Sequence, residues 1–208
     1  MDTLIIEKRD EVYITVDCDP NIQREISEFF TFYVPGYKFM PAFRNRMWDG
    51  KIRLFSQKTK EIYFGLFPYI KAFAEERGYH IVCGKGVEID NKVDKEVVTK
   101  FSNSLGQSFE ARDYQIDAIY HSLKFNRALL LSPTASGKSF IIYALLRYYS
   151  HLIKDEENNG CLLIVPTTSL VEQMYADFKS YGWNVDRYCH RLYSGYSNQT
   201  DKKVLIST

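Results

Sequence analysis

The sequence predicts an α/β protein. A small α+β domain at residues 1–94 precedes, at 95–208, the first part of a phosphate-loop domain on a parallel, doubly wound sheet. Three observations carry this. Residues 128–132 form an apolar run without alternation, as in a parallel strand buried on both faces. That run enters Ser132-Pro-Thr-Ala-Ser-Gly-Lys-Ser139 and then a helical segment reaching residue 153. The alternation of strand, helix, strand, helix and strand then continues to the last residue, as a parallel sheet requires.

The elements follow in order. Residues 4–7 and 12–16 read as a hairpin turning at Lys8-Arg-Asp-Glu11. Asp19 caps a helix with Pro20 at its first position; Ile22, Ile26, Phe29 and Phe30 give it an apolar face to about residue 33, and Pro35-Gly36 ends it. Trp48-Asp-Gly50 is a turn leading to a strand at 51–55, followed by a strand at 61–64. A helix is expected at 68–77 with Gly78 as its stop, and a strand at 80–83. Residues 84–94 read as a polar linker, in which Val87 and Ile89 could form one more short strand. Helices are then expected at 95–105 and from 111 to about 125. After the phosphate loop and its helix come a solvated connection at 154–160, a buried strand at 161–165 and a helix to about 181. Ser169-x-x-Glu172 is read as that helix's capping box. Strands at 183–188 and 204–207 complete the pattern. Internal repeats and low-complexity segments are absent from the sequence.

Bulk properties exclude several classes. A chain of 208 residues can bury a substantial core in one or two domains, and 15% aromatic with 25% charged residues argues against disorder. Net charge is only +1, so any polyanion-binding surface must be local. Cys18, Cys83, Cys161 and Cys189 are widely separated and form no C-x-x-C, which favours buried thiols in a reducing cytosol over zinc or a disulfide frame. The start, Met1-Asp-Thr-Leu-Ile-Ile-Glu7, lacks a basic leader, and no stretch approaches the roughly 18 apolar residues of a membrane span.

Two stretches carry chemistry. In the phosphate loop, the backbone must approach a polyphosphate closely, which Gly137 permits because it lacks Cβ. The helix that begins there adds unpaired N–H groups and its dipole. Lys138 is placed to bridge the β and γ phosphates and the Ser139 hydroxyl to hold Mg²⁺; Ser132, Pro133, Thr134, Ala135 and Ser136 supply the rest of the cradle. Ser132 stands where such loops usually open with Gly, and Ala135 where another Gly is common. The plainer alternative is a solvated lysine at a helix start. In residues 37–60, seven cations face a single acid, Asp49, and alternate with Tyr37, Phe39, Phe43, Trp48 and Phe55. Cations meet phosphates while rings stack on bases, so Arg44, Arg46, Trp48, Lys51 and Arg53 are candidate DNA contacts. A solvated hairpin with its rings turned inward is the alternative.

Four elements stand in fixed order: Arg112-Asp-Tyr-Gln115, the loop ending at Ser139, Ile164-Val-Pro-Thr-Thr-Ser-Leu-Val-Glu-Gln173, and Val204-Leu-Ile-Ser-Thr208. This set resembles the Q motif and motifs I, Ia and Ib in the first RecA-like motor domain of superfamily 2 helicases. The earlier stretch Phe43-Arg-Asn-Arg-Met-Trp-Asp-Gly-Lys-Ile-Arg-Leu54 is similar to the N-terminal domain of phage helicases of the UvsW type. The resemblance implies ATP and Mg²⁺ as cofactors and ATP-driven unwinding or branch migration of branched DNA in phage recombination, repair and replication. It implies a monomer in the host cytoplasm, working beside other recombination or replication proteins. It puts Gln115 on adenine, whose donor and acceptor edge suits an amide fork, and Arg112 over the ring. Thr167, Thr168 and Ser169 would grip a strand phosphate, and Ser207 and Thr208 would make a second backbone contact. Simple capping is the other reading of residues 167–169. An acidic Mg²⁺ box and a second motor domain are expected beyond Thr208, so this stretch alone should turn over ATP poorly. A phosphate-loop kinase or other NTPase would account for the loop but not for Gln115 or Pro166-Thr-Thr168. A non-catalytic helicase-like DNA-binding module would account for the DNA contacts.

Overall fold

The computed structural model describes residues 2–87, 92–152 and 160–208. The chain falls into two compact units, residues 1–89 and 90–208, each with its own hydrophobic core.

In the first unit, β1 (Thr3–Lys8) and β2 (Tyr13–Asp17) pair antiparallel, with Ile6 opposite Val16. Alternation along both strands puts Leu4, Ile6, Ile14 and Val16 inside, all fully buried. Asp19 caps α1 (Pro20–Phe29) by accepting from the Asn21 N–H at 2.8 Å. The expected continuation of this helix to residue 33 is corrected. It stops at Phe29, and Thr31–Tyr33 (β3) pairs antiparallel with Lys51–Arg53 (β4) in a separate two-stranded ladder. β-branched and aromatic residues at 31–33 satisfy their backbone across that ladder, which outweighs one more helical turn. The single strand expected at 51–55 is likewise divided: Phe55–Ser56 (β5) joins β6 (Glu61–Tyr63) in the main sheet. Between β3 and β4 lie a 3₁₀ turn at Tyr37–Phe39 and a one-turn helix α2 (Pro41–Arg44). The helix α3 (Phe67–Arg77) ends at Gly78, and β7 (His80–Cys83) lies parallel to β1. The sheet order is β5-β6-β2-β1-β7. Val87, expected in a linker or short strand, is buried in this core, following a turn rather than a ladder; Ile89 lies outside the described residues.

In the second unit, Asp94 caps α4 (Lys95–Asn103), followed by α5 (Asp113–Phe125) and α6 (Lys138–Leu152). The expected end of α6 at residue 153 and most of the connection at 154–160 lie outside the described residues. Then come β8 (Cys161–Ile164), α7 (Thr168–Ser180), α8 (Val185–Tyr188), β9 (Cys189–Leu192) and β10 (Val204–Ser207). β10 is central and parallel to both neighbours, in the order β8-β10-β9. The core is knitted by Tyr143 on α6. Its ring is fully buried, and its hydroxyl reaches the carbonyls of Leu105 at 2.9 Å and Tyr181 at 3.3 Å while accepting from Arg147 at 2.7 Å.

Two further expectations fail here. Residues 183–188 are not a strand: Asn184 accepts from the Arg187 N–H at 3.2 Å and caps α8, and the strand starts at Cys189. The run at 128–132 is not a strand buried on both faces. It has no ladder partner among the described residues, and Leu129 and Leu131 are 84% and 89% exposed. An apolar run becomes a buried parallel strand only with a strand beside it, and β8-β10-β9 supplies none there. The mixed α/β class stands, with a three-stranded parallel sheet.

Candidate active site and nucleic-acid interface

The phosphate loop follows the exposed run and closes on α6. Gly137 has φ +77°, in the left-handed region, and a Cβ there would collide with the Gln115 side-chain nitrogen. Both facts demand glycine. The amides of Phe140 and Ile141 donate to the Gly137 carbonyl, at 3.0 and 3.4 Å, so the helix starts on this residue. Its first N–H groups have no acceptor within the helix and are available to an anion. Lys138 Nζ lies back over the loop, donating to the carbonyls of Ser132 at 3.0 Å and Pro133 at 2.6 Å. The Ser132 and Ser136 hydroxyls bond to each other across the loop. Ser132 thus replaces the usual glycine with a cross-loop tether.

The loop is tied to α5 by neighbouring side chains. Gln115, 5% exposed, accepts from the Arg112 N–H at 3.0 Å and donates to the Ser136 carbonyl at 3.1 Å. The Tyr114 hydroxyl donates to the same carbonyl at 3.0 Å and accepts from Arg112 Nη1 at 3.0 Å. Only the Gln115 half of a capping box exists at this helix start, because a guanidinium has no acceptor. A cleft of about 840 Å³ opens between Arg112, Tyr114 and His121 on one side and residues 129–136 with Lys138 on the other. Gln115 does not line it; its amide faces the loop. Nothing in the local sequence pattern singled out Tyr114, whose contact with Ser136 spans 22 residues.

The strand-end hydroxyls gather at one edge. Ser207 is in register with Ile164 on one side and Leu192 on the other, so the C-terminal ends of β8, β9 and β10 lie together. The Val165 N–H donates to the Ser207 carbonyl at 2.8 Å. Thr167, Thr168 and Ser169 are exposed just past β8. The capping box expected at Ser169 and Glu172 is corrected: Thr167 is the cap, accepting from the Leu170 N–H at 3.3 Å, and Ser169 already lies within α7. Ser207 Oγ donates to the Leu192 carbonyl at 2.9 Å, and Thr208 is exposed beside it.

Glu172 has a different task. It accepts from Arg191 Nη1 at 2.7 Å and from the Tyr193 hydroxyl, joining α7 to β9. Those bonds, the tyrosine's first, hold its carboxyl below the usual range, while the Glu172 bond pushes the Tyr193 hydroxyl up. Arg191 also lies between the rings of Tyr175 at 4.3 Å and Tyr196 at 4.7 Å. Separations of 19 and 21 residues hid this cluster from any local reading.

In the first unit, the basic stretch divides. Arg53 is committed to Asp49, whose carboxyl that guanidinium holds below its usual range, and Lys60 pairs with Asp17 at 2.7 Å. Lys51 lies over the Tyr33 ring at 4.9 Å. Trp48 is half-buried, outside the core cluster, with its indole N–H donated to the Lys51 carbonyl at 2.9 Å. Arg44 and Arg46 are exposed, and neither forms an ion pair among the described residues.

A left-handed glycine at a helix start, a lysine lying back over the loop and an upstream glutamine tethered to it give this segment the form of a phosphate loop. The model of the family described as "DNA helicase UvsW, N-terminal" matches residues 4–84, and that of the DEAD/DEAH box helicases matches residues 112–208. The ATP-dependent DNA helicase uvsW of Enterobacteria phage T4 is 36% identical over 174 residues, 81% of this chain and 34% of the phage protein. Endoribonuclease Dicer homolog 2 of Arabidopsis thaliana is 36% identical over 75 residues, 33% of this chain and 5% of that protein. A crystal structure of the UvsW helicase from bacteriophage T4 superposes with a TM-score of 0.85 at 30% identity, covering all of this chain and 75% of that one. A second T4 UvsW structure gives the same TM-score and identity, with 42% of its chain covered. The chain belongs to the UvsW family of DNA helicases. It spans about a third of the length of the phage T4 helicase.

Proposed function

We propose that the chain is the N-terminal part of an ATP-dependent DNA helicase or translocase acting on branched DNA in phage recombination, repair and replication. The observation that carries this is the tether of Gln115 to Ser136 beside a lysine-closed loop, because it couples the nucleotide cleft to α5. The first unit serves as the DNA-binding accessory domain and the second as part of the first motor domain. Its parallel sheet becomes doubly wound once residues 128–132 gain a strand partner. Bound ATP with Mg²⁺ would supply the phosphoryl group whose hydrolysis drives the motor.

The loop residues suit that ligand. Lys138 exchanges the carbonyls of Ser132 and Pro133 for phosphate oxygens, and Ser139 in the first turn of α6 offers its hydroxyl to the metal. Arg112 and Tyr114 line the cleft where a base would lie. Gln115 reaches adenine only by giving up Ser136, so base recognition and loop position become one event. Thr167, Thr168, Ser169, Ser207 and Thr208 form a strand-end patch for a DNA backbone. The protein works as a monomer in the host cytoplasm, alongside other recombination or replication proteins.

The test is binding of a fluorescent ATP analogue with Mg²⁺ to the 208-residue chain and to Lys138→Ala. We expect affinity to fall at least about ten-fold on loss of the charge-assisted phosphate contact. The melting temperature should hold, because Lys138 is exposed. Nucleotide affinity unchanged by the substitution would overturn the assignment.

A further inference from the structure

We infer that residues 34–50 are a strand-parting element: Phe39 and Met47 enter the end of a base-paired stack at a DNA junction while Arg44 and Arg46 hold the flanking phosphates. This rests on the reading that the basic stretch meets DNA, and adds which residues meet unpaired bases.

The excursion is built on a firm base. It leaves and returns through the β3–β4 ladder, with Tyr33 opposite Lys51 and the Val34 N–H donating to the Gly50 carbonyl at 2.9 Å. Tyr37 stacks on Tyr33 at 4.7 Å and meets Phe43 edge-on at 4.7 Å. Gly50 has φ +79°, and any Cβ there would strike the Tyr37 ring. The rings of Tyr33, Tyr37 and Phe43 therefore support the excursion from within. Phe39 and Met47 do not: they are 86% and 79% exposed, the two highest values among the described large apolar residues of this unit. They flank the two ends of α2. Large apolar side chains left in water beside cations are the composition of wedges that enter base steps. Lys38, Arg44 and Arg46, with Met47 and Trp48, line a recess of about 590 Å³ whose one acid, Asp49, is taken by Arg53. An unpaired base would find an apolar floor there and a cationic rim.

Backbone strain is the independent observation. α2 ends in a Schellman motif: the Met47 N–H donates to the Ala42 carbonyl at 2.9 Å, and the Arg46 N–H to the Phe43 carbonyl at 3.0 Å. The motif's left-handed position is glycine's, yet Arg46 occupies it with φ 56°. An arginine held where glycine is more stable, with no side-chain partner among the described residues, is explained by a role for its guanidinium.

The test uses the 208-residue chain in salt titrations against forked and linear DNA, with 2-aminopurine at the fork. Arg46→Gly should raise the melting temperature by roughly 2–5 °C yet weaken binding to both DNAs and lower the salt slope by about one. Phe39→Ala and Met47→Ala should leave melting and linear-DNA affinity unchanged. Each should cost about ten-fold on the fork and lose the 2-aminopurine signal. Phe39→Gln and Met47→Gln, which preserve bulk without the apolar surface, should behave as the alanine variants do. If the parent chain binds DNA without salt dependence, the DNA reading itself fails. If it binds normally but these four variants retain the forked-over-linear preference, the strand-parting role fails and the DNA reading stands.

Discussion

Gly137→Ala tests the coupling between the phosphate loop and α5. Gly137 sits at φ +77°, where an L-residue costs about 1–2 kcal/mol. The new methyl must also displace the Gln115 amide, whose bond to the Ser136 carbonyl contributes about 1 kcal/mol. Restricting the unfolded chain returns about 0.5–1 kcal/mol, leaving a net loss of roughly 1–2.5 kcal/mol. Thermal unfolding should show the second unit melting lower by about 5–10 °C. Binding of a fluorescent ATP analogue should fall, because the displaced amide drags Ser136 with it. The decisive measurement is a cycle with Gln115→Ala. The double variant removes the collision but not the left-handed strain, so it should be less destabilised than the two single effects predict, by about 1 kcal/mol. Additive effects, or a Gly137→Ala protein within about 0.5 kcal/mol of the parent, would refute the coupling.

Two further substitutions address α7. Thr167→Ala should cost about 1 kcal/mol through loss of the Leu170 cap and should weaken DNA binding, whereas Thr167→Ser should restore both; unfolding and DNA titrations of the three proteins decide it. Glu172 is held below its unfolded value by Tyr193 and Arg191, so its stabilisation is full above about pH 4.3 and fades as pH falls through the lower folded value. Its carboxylate is partly exposed, so Glu172→Gln should cost under about 1 kcal/mol at pH 7. That difference should shrink as pH falls through the lowered folded value, and a pH-independent difference in urea midpoints would contradict it.

The segments that sequence predicted well are those where a local signal and the tertiary environment agree. Asp19-Pro20 starts α1, Gly78 ends α3, and the two strands read around residues 4–7 and 12–16 pair as the expected hairpin. The errors fall where the deciding partner is distant in sequence. Residues 31–33 become a strand because residues 51–53 lie opposite, and Trp183 is buried against α6 and α7 while Asn184 turns the backbone into α8. Residues 128–132 failed in the opposite sense. Their apolar pattern speaks for a buried strand, but burial depends on a neighbour that β8-β10-β9 does not place there.

The site was legible as residue types and not as partners. Gly137, Lys138 and Ser139 identify a phosphate loop because the motif is contiguous; Tyr114, Glu172 and Arg191 emerge only when the fold brings distant residues together. Conformation holds a further layer that composition cannot reveal. Among the described residues, four that are not glycine adopt positive φ: Arg46, Lys60, Asn126 and Ala135. Ala135 lies in the phosphate loop at φ 64° and Arg46 beside the candidate DNA recess. Glycine would relieve the backbone at both. For Ala135 the sequence had flagged the position, since many such loops carry glycine there, but not that the alanine is forced left-handed. For Arg46 nothing in the sequence signalled it, because a Schellman end is recognised by its hydrogen bonds. Strain retained at the phosphate loop and at a proposed junction contact is a local rule broken where the proposed function constrains the chain. Arg46→Gly separates that account from accident, since relief of strain and loss of DNA affinity must occur together.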